Sequence, residues 1–196
     1  NVFDDVAEYI RSCLKCQRNK PTNKLPQGLL EPLEIPDSRW SSVAMDFISG
    51  LPKSNGFDTI LTITDRLSKM VHLIPTVKDA NARDVAKLFL RHVIRHHGMP
   101  QSIVSDRDAK FTSHFWSELM RLLNIKLKMS SADHLENDRQ SERTNRTTIE
   151  ILRSYVNERN TNWVEFLLLV EIAINNSKSS STSLTPFFIN YEFHSI

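Results

Sequence analysis

The chain has 196 residues, of which 40% are hydrophobic, so it is long enough for one packed domain and too apolar for wholesale disorder. Its net charge of +2 is only mildly basic, and its two cysteines are too few for a secreted, disulfide-stapled scaffold. No apolar run is long enough to span a bilayer and the first residues carry acids, so we expect neither a membrane partner nor a signal peptide.

The first 39 residues are predicted to lie outside the compact domain. Residues 1–20 indicate a short helix that runs into a Cys13-x-x-Cys16 pair and a basic tail. Residues 21–39 contain four prolines and one glycine, which is typical of an extended linker. We therefore expect the domain to occupy residues 40–196.

Three β-rich runs follow Trp40, at residues 42–52, 59–69 and 70–77. In the first run Val43, Met45 and Phe47 alternate with other residues, which is the pattern of a strand. Because the links between the runs are short, we predict an antiparallel meander.

The remaining chain alternates helices and strands. Residues 81–98 predict a helix with Asn81 as its N-terminal cap and Gly98 at its end. The residues expected on its buried face are Val85, Leu88, Phe89, His92, Val93 and His96. Strands are predicted at 101–108 and 125–130, and helices at 112–124, from about 140 to 158 and from about 163 to 177. This order predicts an α/β fold, with a mixed sheet flanked by helices.

Three acidic residues stand out by their placement. Asp46 lies between apolar residues inside the first strand, Asp106 ends a short buried strand, and Glu142 is placed at the start of a long helix. If the two strands are neighbours, the carboxylates can meet at one sheet edge and hold Mg²⁺ or Mn²⁺. Taken singly, Asp46 can be a salt-bridge partner, Asp106 a turn or cap residue, and Glu142 a favourable charge on the helix dipole.

The whole chain resembles the integrases of gypsy-type (Metaviridae) long-terminal-repeat retrotransposons, and more distantly retroviral integrases. The segments that carry the resemblance are YIRSCLKCQRNK (9–20), WSSVAMDFISGLP (40–52), TITDRLSKMVHLIP (62–75), HHGMPQSIVSDRDAKFTSHFW (96–116), SERTNRTTIEILRSYV (141–156) and SLTPFFINY (183–191). The resemblance implies a ribonuclease-H-like fold with a five-stranded mixed sheet. It also implies that Asp46, Asp106 and Glu142 are the catalytic, metal-binding triad, while Asp65 and Asp108 are structural or neighbour the site.

The chemistry implied by the resemblance is metal-dependent polynucleotidyl transfer in the nucleus. Water first cleaves the end of the element's DNA, and the freed 3′-hydroxyl then attacks target DNA. The implied partners are double-stranded DNA and further copies of the chain. Candidate DNA-binding residues are Lys110, Arg139, Gln140, Arg143, Asn145, Arg146 and Arg153, although each alone can be an ordinary solvated side chain.

The cysteine pair resembles half of the family's HHCC zinc-binding domain, of which residues 1–20 would be a remnant. Structural zinc sites have four protein ligands, so we expect Cys13 and Cys16 to hold Zn²⁺ only if the missing histidine pair is supplied.

The chain departs from the family pattern just before Glu142. Leu135 stands where the family has proline and Arg139 where it has glycine; Glu192 replaces a family glycine after Tyr191. We expect Arg139 to strain a loop there and to weaken activity. Two alternatives therefore stay open: a decayed or domesticated copy that serves as a DNA-binding or assembly module, and a different nuclease of the same fold.

Overall fold

Five strands form one mixed sheet at the centre of the protein. The computed structural model describes residues 2–13, 35–106, 108–129, 135–157, 159 and 161–194. The strands are β1 (Ser42–Ile48), β2 (Thr59–Asp65), β3 (Val71–Thr76), β4 (Ser102–Ser105) and β5 (Lys126–Met129). The helices are α1 (Val2–Ser12), α2 (Ala82–Phe89), α3 (Arg95–His97), α4 (Ala109–Thr112), α5 (His114–Leu122), α6 (Leu135–Tyr155), α7 (Trp163–Asn176) and α8 (Pro186–Tyr191).

The strand order is β3-β2-β1-β4-β5, which places β1 in the centre of the sheet. β1, β2 and β3 are antiparallel neighbours, whereas β4 pairs parallel with β1 and β5 parallel with β4. The turn between β1 and β2 includes Asn55 and Gly56, both at positive φ as a tight type I′ turn requires. The predicted meander and the mixed α/β sheet are confirmed.

Each face of the sheet carries its own core. Val43 and Met45 of β1 lie in the core that also contains Phe89 of α2 and Trp116 of α5. Ile48 of β1 lies in the opposite core, whose further members are Ile60, Val71, Leu73, Leu152, Trp163, Leu167 and Val170. Since side chains alternate along a strand, Asp46 projects to the same side as Ile48, the side on which α6 and α7 pack.

The helix predicted at 81–98 is interrupted by a π-helical turn, Leu90–Ile94. Asn81 caps its start by accepting hydrogen bonds from the backbone N–H groups of Arg83 and Asp84, and Gly98 ends it at a φ of 82°. A π-helical turn inserts an extra residue and rotates everything after it. The prediction that His96 is buried is therefore wrong: His96 is exposed and His97 is half-buried.

His97 belongs to a stacked cluster, which we call the histidine cluster: Trp40, His72, His97 and Glu171. The rings of Trp40 and His97 are parallel with centroids 3.7 Å apart. The Nε2 atoms of His72 and His97 lie 2.9 Å apart, and Nδ1 of His72 lies 3.1 Å from Oε1 of Glu171. Burial, followed by the charges of His72 and His96, lowers the pKa of His97 to about 4.

The long helix α6 begins at Leu135, earlier than the predicted start near residue 140. Arg139 therefore has helical backbone, and the expectation that it strains a loop is wrong. Residues 130–134, which precede the helix, lie outside the described residues. The short helix α8 was not predicted, although Thr185 caps it and Pro186 occupies its first turn.

A terminal clasp, formed by Arg39 and Trp40 with Ile189, Asn190 and Glu192, joins the start of the domain to α8. Nη1 of Arg39 donates to the carbonyl oxygens of Ile189 and Asn190 at 2.6 and 2.9 Å. Nε1 of Trp40 donates to Oδ1 of Asn190 at 2.7 Å. The clasp thus satisfies carbonyl groups that the end of a helix leaves without intrahelical partners. Of the predicted linker, residues 21–34 lie outside the described residues.

Candidate active site

Asp46 and Asp106 are brought side by side by the pairing of β1 with β4. The parallel register matches Ser42 with Ser102 and continues to Met45 with Ser105. One residue further along, Asp46 and Asp106 follow at neighbouring positions, and adjacent strands are about 4.8 Å apart. Asp46 is half-buried, whereas Asp106 is exposed at the end of its strand.

Asn145 docks α6 against β1 at this point. Its Nδ2 donates to Oδ2 of Asp46 at 2.7 Å. Its Oδ1 lies 3.1 Å from Oγ1 of Thr62, the residue paired with Asp46 on β2. The other carboxylate oxygen of Asp46, Oδ1, accepts from the backbone N–H of Phe47 at 2.8 Å. These contacts fix the orientation of the Asp46 carboxylate.

Glu142 lies one helical turn before Asn145. Residues three apart on a helix share a face, so the exposed Glu142 projects on the side of α6 that approaches the sheet edge. The prediction that Glu142 begins the helix is wrong, because α6 starts at Leu135. A carboxylate two turns inside a helix gains little from the dipole, which acts within the first turn. The alternative interpretation of Glu142, as a charge that only stabilises the helix dipole, is therefore not supported.

The three carboxylates suit a hard divalent ion by their chemistry, since Mg²⁺ and Mn²⁺ prefer carboxylate oxygen and water. Among the described residues, however, no group of three or more histidine, cysteine or carboxylate side chains is gathered closely enough to hold a metal ion. The fold thus aligns Asp46 with Asp106, and Glu142 lies one helical turn from Asn145, the residue that contacts Asp46. Their convergence on a shared ion stays a prediction.

Asp108 and Lys110 flank the aspartate pair. Asp108 caps α4 by accepting a hydrogen bond from the backbone N–H of Lys110, and the N–H of Asp108 donates to Oδ1 of Asp106. Nζ of Lys110 lies 3.4 Å from both carboxylate oxygens of Asp108 and 4.6 Å from the ring centroid of Phe47. The ammonium of Lys110 is therefore held between Asp108 and the ring of Phe47, the residue that follows Asp46.

The other predicted DNA-binding residues fall on different parts of α6. Arg146 and Arg153 are exposed and lie seven positions apart, on nearly the same stripe as Glu142. Arg143 lies on another flank, in a cleft with Lys69. The side chains of Arg139 and Gln140 lie outside the described residues, as does Cys16; Cys13 is half-buried just after α1.

The structural role of Asp65 was predicted, whereas the roles of Thr62 and Asn145 were missed at the level of sequence. Asp65 is fully buried and accepts hydrogen bonds from the backbone N–H groups of Trp40 and Ser68 and from the Ser68 hydroxyl, which makes it a structural residue. Thr62 and Asn145 position Asp46. The alternation along β2 places Thr62 on the α6 side, but the contact with Asn145 spans 83 residues and carries no local sequence signal.

Comparison with known proteins identifies relatives of the chain. The model of the integrase core domain matches residues 35–135, more than half of the chain; this range contains Asp46 and Asp106 and ends before Glu142. The chain is 36% identical over 188 residues to the Transposon Tf2-3 and Tf2-4 polyproteins of Schizosaccharomyces pombe. The match covers 96% of this chain and 14% of each relative, so the chain spans about one seventh of their length.

Solved structures show the same fold. The simian T-cell lymphotropic virus intasome in complex with PP2A regulatory subunit B56 gamma matches with a TM-score of 0.67 and 19% identity, over 96% of this chain and 66% of that chain. The HTLV-2 integrase catalytic core domain in complex with magnesium, in its trimeric form, matches with a TM-score of 0.62 and 18% identity, over 84% of this chain and 100% of that chain. The ribonuclease-H-like integrase fold predicted for this chain is confirmed.

Proposed function

This chain belongs to the integrase core domain family, and from that premise we propose that it is the catalytic core of a retrotransposon integrase. Its proposed reaction is metal-dependent processing of the 3′ ends of the element's DNA, followed by transfer of those ends into target DNA. The proposed setting is the nucleus, and the proposed partners are double-stranded DNA and further copies of the chain. The HTLV-2 core in complex with magnesium, known in dimeric and trimeric forms, is consistent with both metal use and self-association.

One observation carries the proposal: β1 and β4 deliver two aspartates to one edge of the sheet, and α6 is docked at that edge through the Asn145–Asp46 hydrogen bond. Glu142 is one turn from the docking residue. Three anionic side chains at one edge would repel one another without a cation, so the arrangement favours divalent metal.

Asp46, Asp106 and Glu142 would hold Mg²⁺ or Mn²⁺, which supplies activation of the attacking oxygen and neutralises charge at phosphorus. Asn145 holds the Asp46 carboxylate by a hydrogen bond, and Thr62 contacts Asn145 in turn. Lys110, fixed over Phe47 beside Asp108, attracts the scissile phosphate. Arg146 and Arg153 extend this positive charge along the helix and hold the backbone on either side.

The test is a strand-transfer assay with duplexes that carry the element's own ends, in Mg²⁺ or Mn²⁺. We expect joined products from the wild-type chain and none from Glu142→Gln, since the amide removes the anionic ligand while conserving shape. Glu150→Gln is the matched control, because Glu150 lies on the same helix away from the carboxylates, and it should retain activity. Activity that persists in Glu142→Gln would show that the assignment of the triad is wrong.

A non-catalytic DNA-binding or assembly module is the second candidate. It is favoured by the absence of a gathered three-carboxylate group among the described residues. This candidate predicts DNA binding without cleavage or joining in either metal. A nuclease of the same fold with another task would cleave DNA without joining ends, so the same assay separates all three functions.

A further inference from the structure

A cleft of about 520 Å³ opens on the flank of α6 that faces away from the aspartate pair. Arg143 and Thr147 line it, and each lies two positions from Asn145, the residue that contacts Asp46. At about 100° per residue, both project roughly opposite to Asn145. The cleft is therefore distinct from the candidate active site, although both are built on one helix.

The lining is basic and rich in hydroxyl groups. Three segments contribute one cation each: Lys69 from the turn between β2 and β3, Arg143 from α6, and Lys178 from the segment after α7. Thr144, Thr147 and the serines of residues 177–181 supply hydroxyls, and none of the described residues that line the cleft is acidic. We call this site the basic cleft.

Lys69 is held in the basic cleft at some cost. Its backbone adopts a φ of 67°, which residues other than glycine rarely adopt. Its Nζ donates to the carbonyl oxygen of Arg66 at 2.6 Å. Burial, then the charges of Arg66 and Arg143, lower the pKa of its ammonium, while Asp65 acts in the opposite sense. An anion in the cleft would relieve this repulsion between cations.

The serine-rich wall is already formed. The backbone N–H of Ser179 donates to the carbonyl oxygen of Leu184 at 3.0 Å, and that of Ser183 donates to the carbonyl oxygen of Ser179 at 2.8 Å. The hydroxyl oxygens of Ser179 and Ser181 lie 2.9 Å apart. A ligand that binds here does not have to order the loop first, which reduces the cost of binding.

We propose that the basic cleft binds a phosphate group, carried either by the backbone of a nucleic acid or by a free polyphosphate. Phosphate oxygens accept hydrogen bonds from ammonium, guanidinium and hydroxyl groups, the three donor types that line the cleft. The site goes beyond the proposed function, because it uses none of the three carboxylates and its occupancy does not depend on catalysis.

Inorganic triphosphate is the probe, with binding measured by titration calorimetry in EDTA so that a metal ion at the carboxylates cannot recruit it. We expect binding by the wild-type chain and affinity at least about tenfold weaker for Arg143→Gln and for Lys178→Gln, since hydrogen bonds to charged groups contribute about 1.5–3 kcal/mol. Lys126→Gln, an exposed lysine on β5, is the matched control and should bind as the wild type does. Absence of binding, or equal weakening by the control, would overturn the proposal.

Labelled duplex DNA separates the two sources of phosphate. If a nucleic acid backbone occupies the cleft, triphosphate should compete with DNA, and each variant should reduce the salt dependence of DNA binding by about 0.9 per lost contact. If a free polyphosphate occupies it, the variants should lose triphosphate binding and keep DNA binding. Glu142→Gln should bind triphosphate as the wild type does, so failure of the proposed catalysis would leave this result intact.

Discussion

Two buried tryptophans differ in one hydrogen bond. Nε1 of Trp163 donates to the carbonyl oxygen of Pro52 at 2.7 Å, whereas Nε1 of Trp116 has no hydrogen-bond partner among the described residues. A buried polar group without a partner costs about 1–3 kcal/mol, so Trp116→Phe removes a penalty while Trp163→Phe removes a favourable contact. We expect Trp163→Phe to lower the free energy of unfolding by at least about 1 kcal/mol more than Trp116→Phe. Urea titration measures this, and an equal or larger loss for Trp116→Phe would contradict it.

Glu192 is the second residue whose environment makes a clear prediction. It ends α8 in left-handed conformation, with a φ of 63°, a region of backbone conformation that favours glycine. Left-handed conformation destabilises a residue with a Cβ by about 1–2 kcal/mol. The exposed ion pair between Glu192 and Arg39 stabilises the fold by only about 0–1 kcal/mol. Glu192→Gly should therefore raise the free energy of unfolding by about 0.5–1 kcal/mol. Glu192→Gln keeps the strain and serves as control; a glycine variant no more stable than it would refute the argument.

At the scale of elements, α6 presents Glu142, Arg146 and Arg153 on one stripe. If this stripe follows a DNA backbone, Arg146→Ala and Arg153→Ala should each reduce the slope of log affinity against log salt concentration by about 0.9. Fluorescence anisotropy with duplex DNA at several salt concentrations measures the slope. Lys126→Ala on β5 is the control and should leave it unchanged. A slope that survives both arginine changes would remove the stripe from the DNA-binding surface.

Element types and the sheet edge were predictable because they depend on short-range patterns. The alternation of Val43, Met45 and Phe47 assigns these side chains to one face of β1 and Asp46 to the other, and each face is covered by a core of its own. The ends of the elements, and which face of a helix is buried, were harder to predict from the sequence. The first turns of α6 are polar, so no apolar periodicity marks where the helix begins. The π-helical turn, after which His97 and not His96 is partly buried, has no sequence signature. The Asn145–Asp46 contact depends on how a whole helix docks, which no local pattern encodes.

At the scale of the whole molecule, the histidine cluster joins α3, β3 and α7 to Trp40 at the start of the predicted domain, and it should make stability depend on pH. The pKa of His97 lies near 4, below the ordinary value of 6.5, so between these values the unfolded chain binds a proton that the folded chain does not. The contribution of His97 to the free energy of unfolding should therefore be complete above pH 6.5 and should be lost as the pH falls from 6.5 to 4. Burial first, then His72 and Arg91, also lowers the pKa of His92, which acts in the same direction.

His97→Phe tests this dependence, because phenylalanine keeps the stacking on Trp40 and cannot take up a proton. The slope of the free energy of unfolding against pH, measured by urea titration between pH 4 and 6.5, should be smaller than in the wild type by up to about 1.4 kcal/mol per pH unit. His114→Gln, an exposed histidine on α5, should leave the slope unchanged. Equal slopes in His97→Phe and the wild-type chain would show that the cluster does not titrate as described.

The terminal clasp has a mechanical consequence. Since Arg39 and Trp40 are hydrogen-bonded to the end of α8, the chain enters and leaves the domain at neighbouring positions. A pull between residues before 39 and residues after 192 acts first on the three hydrogen bonds that Arg39 and Trp40 donate to Ile189 and Asn190. The strands lie outside that line of tension until the clasp opens. Tension between the segments on either side of the domain can therefore be borne by the clasp, while β1 and β4 keep the pairing that aligns Asp46 with Asp106.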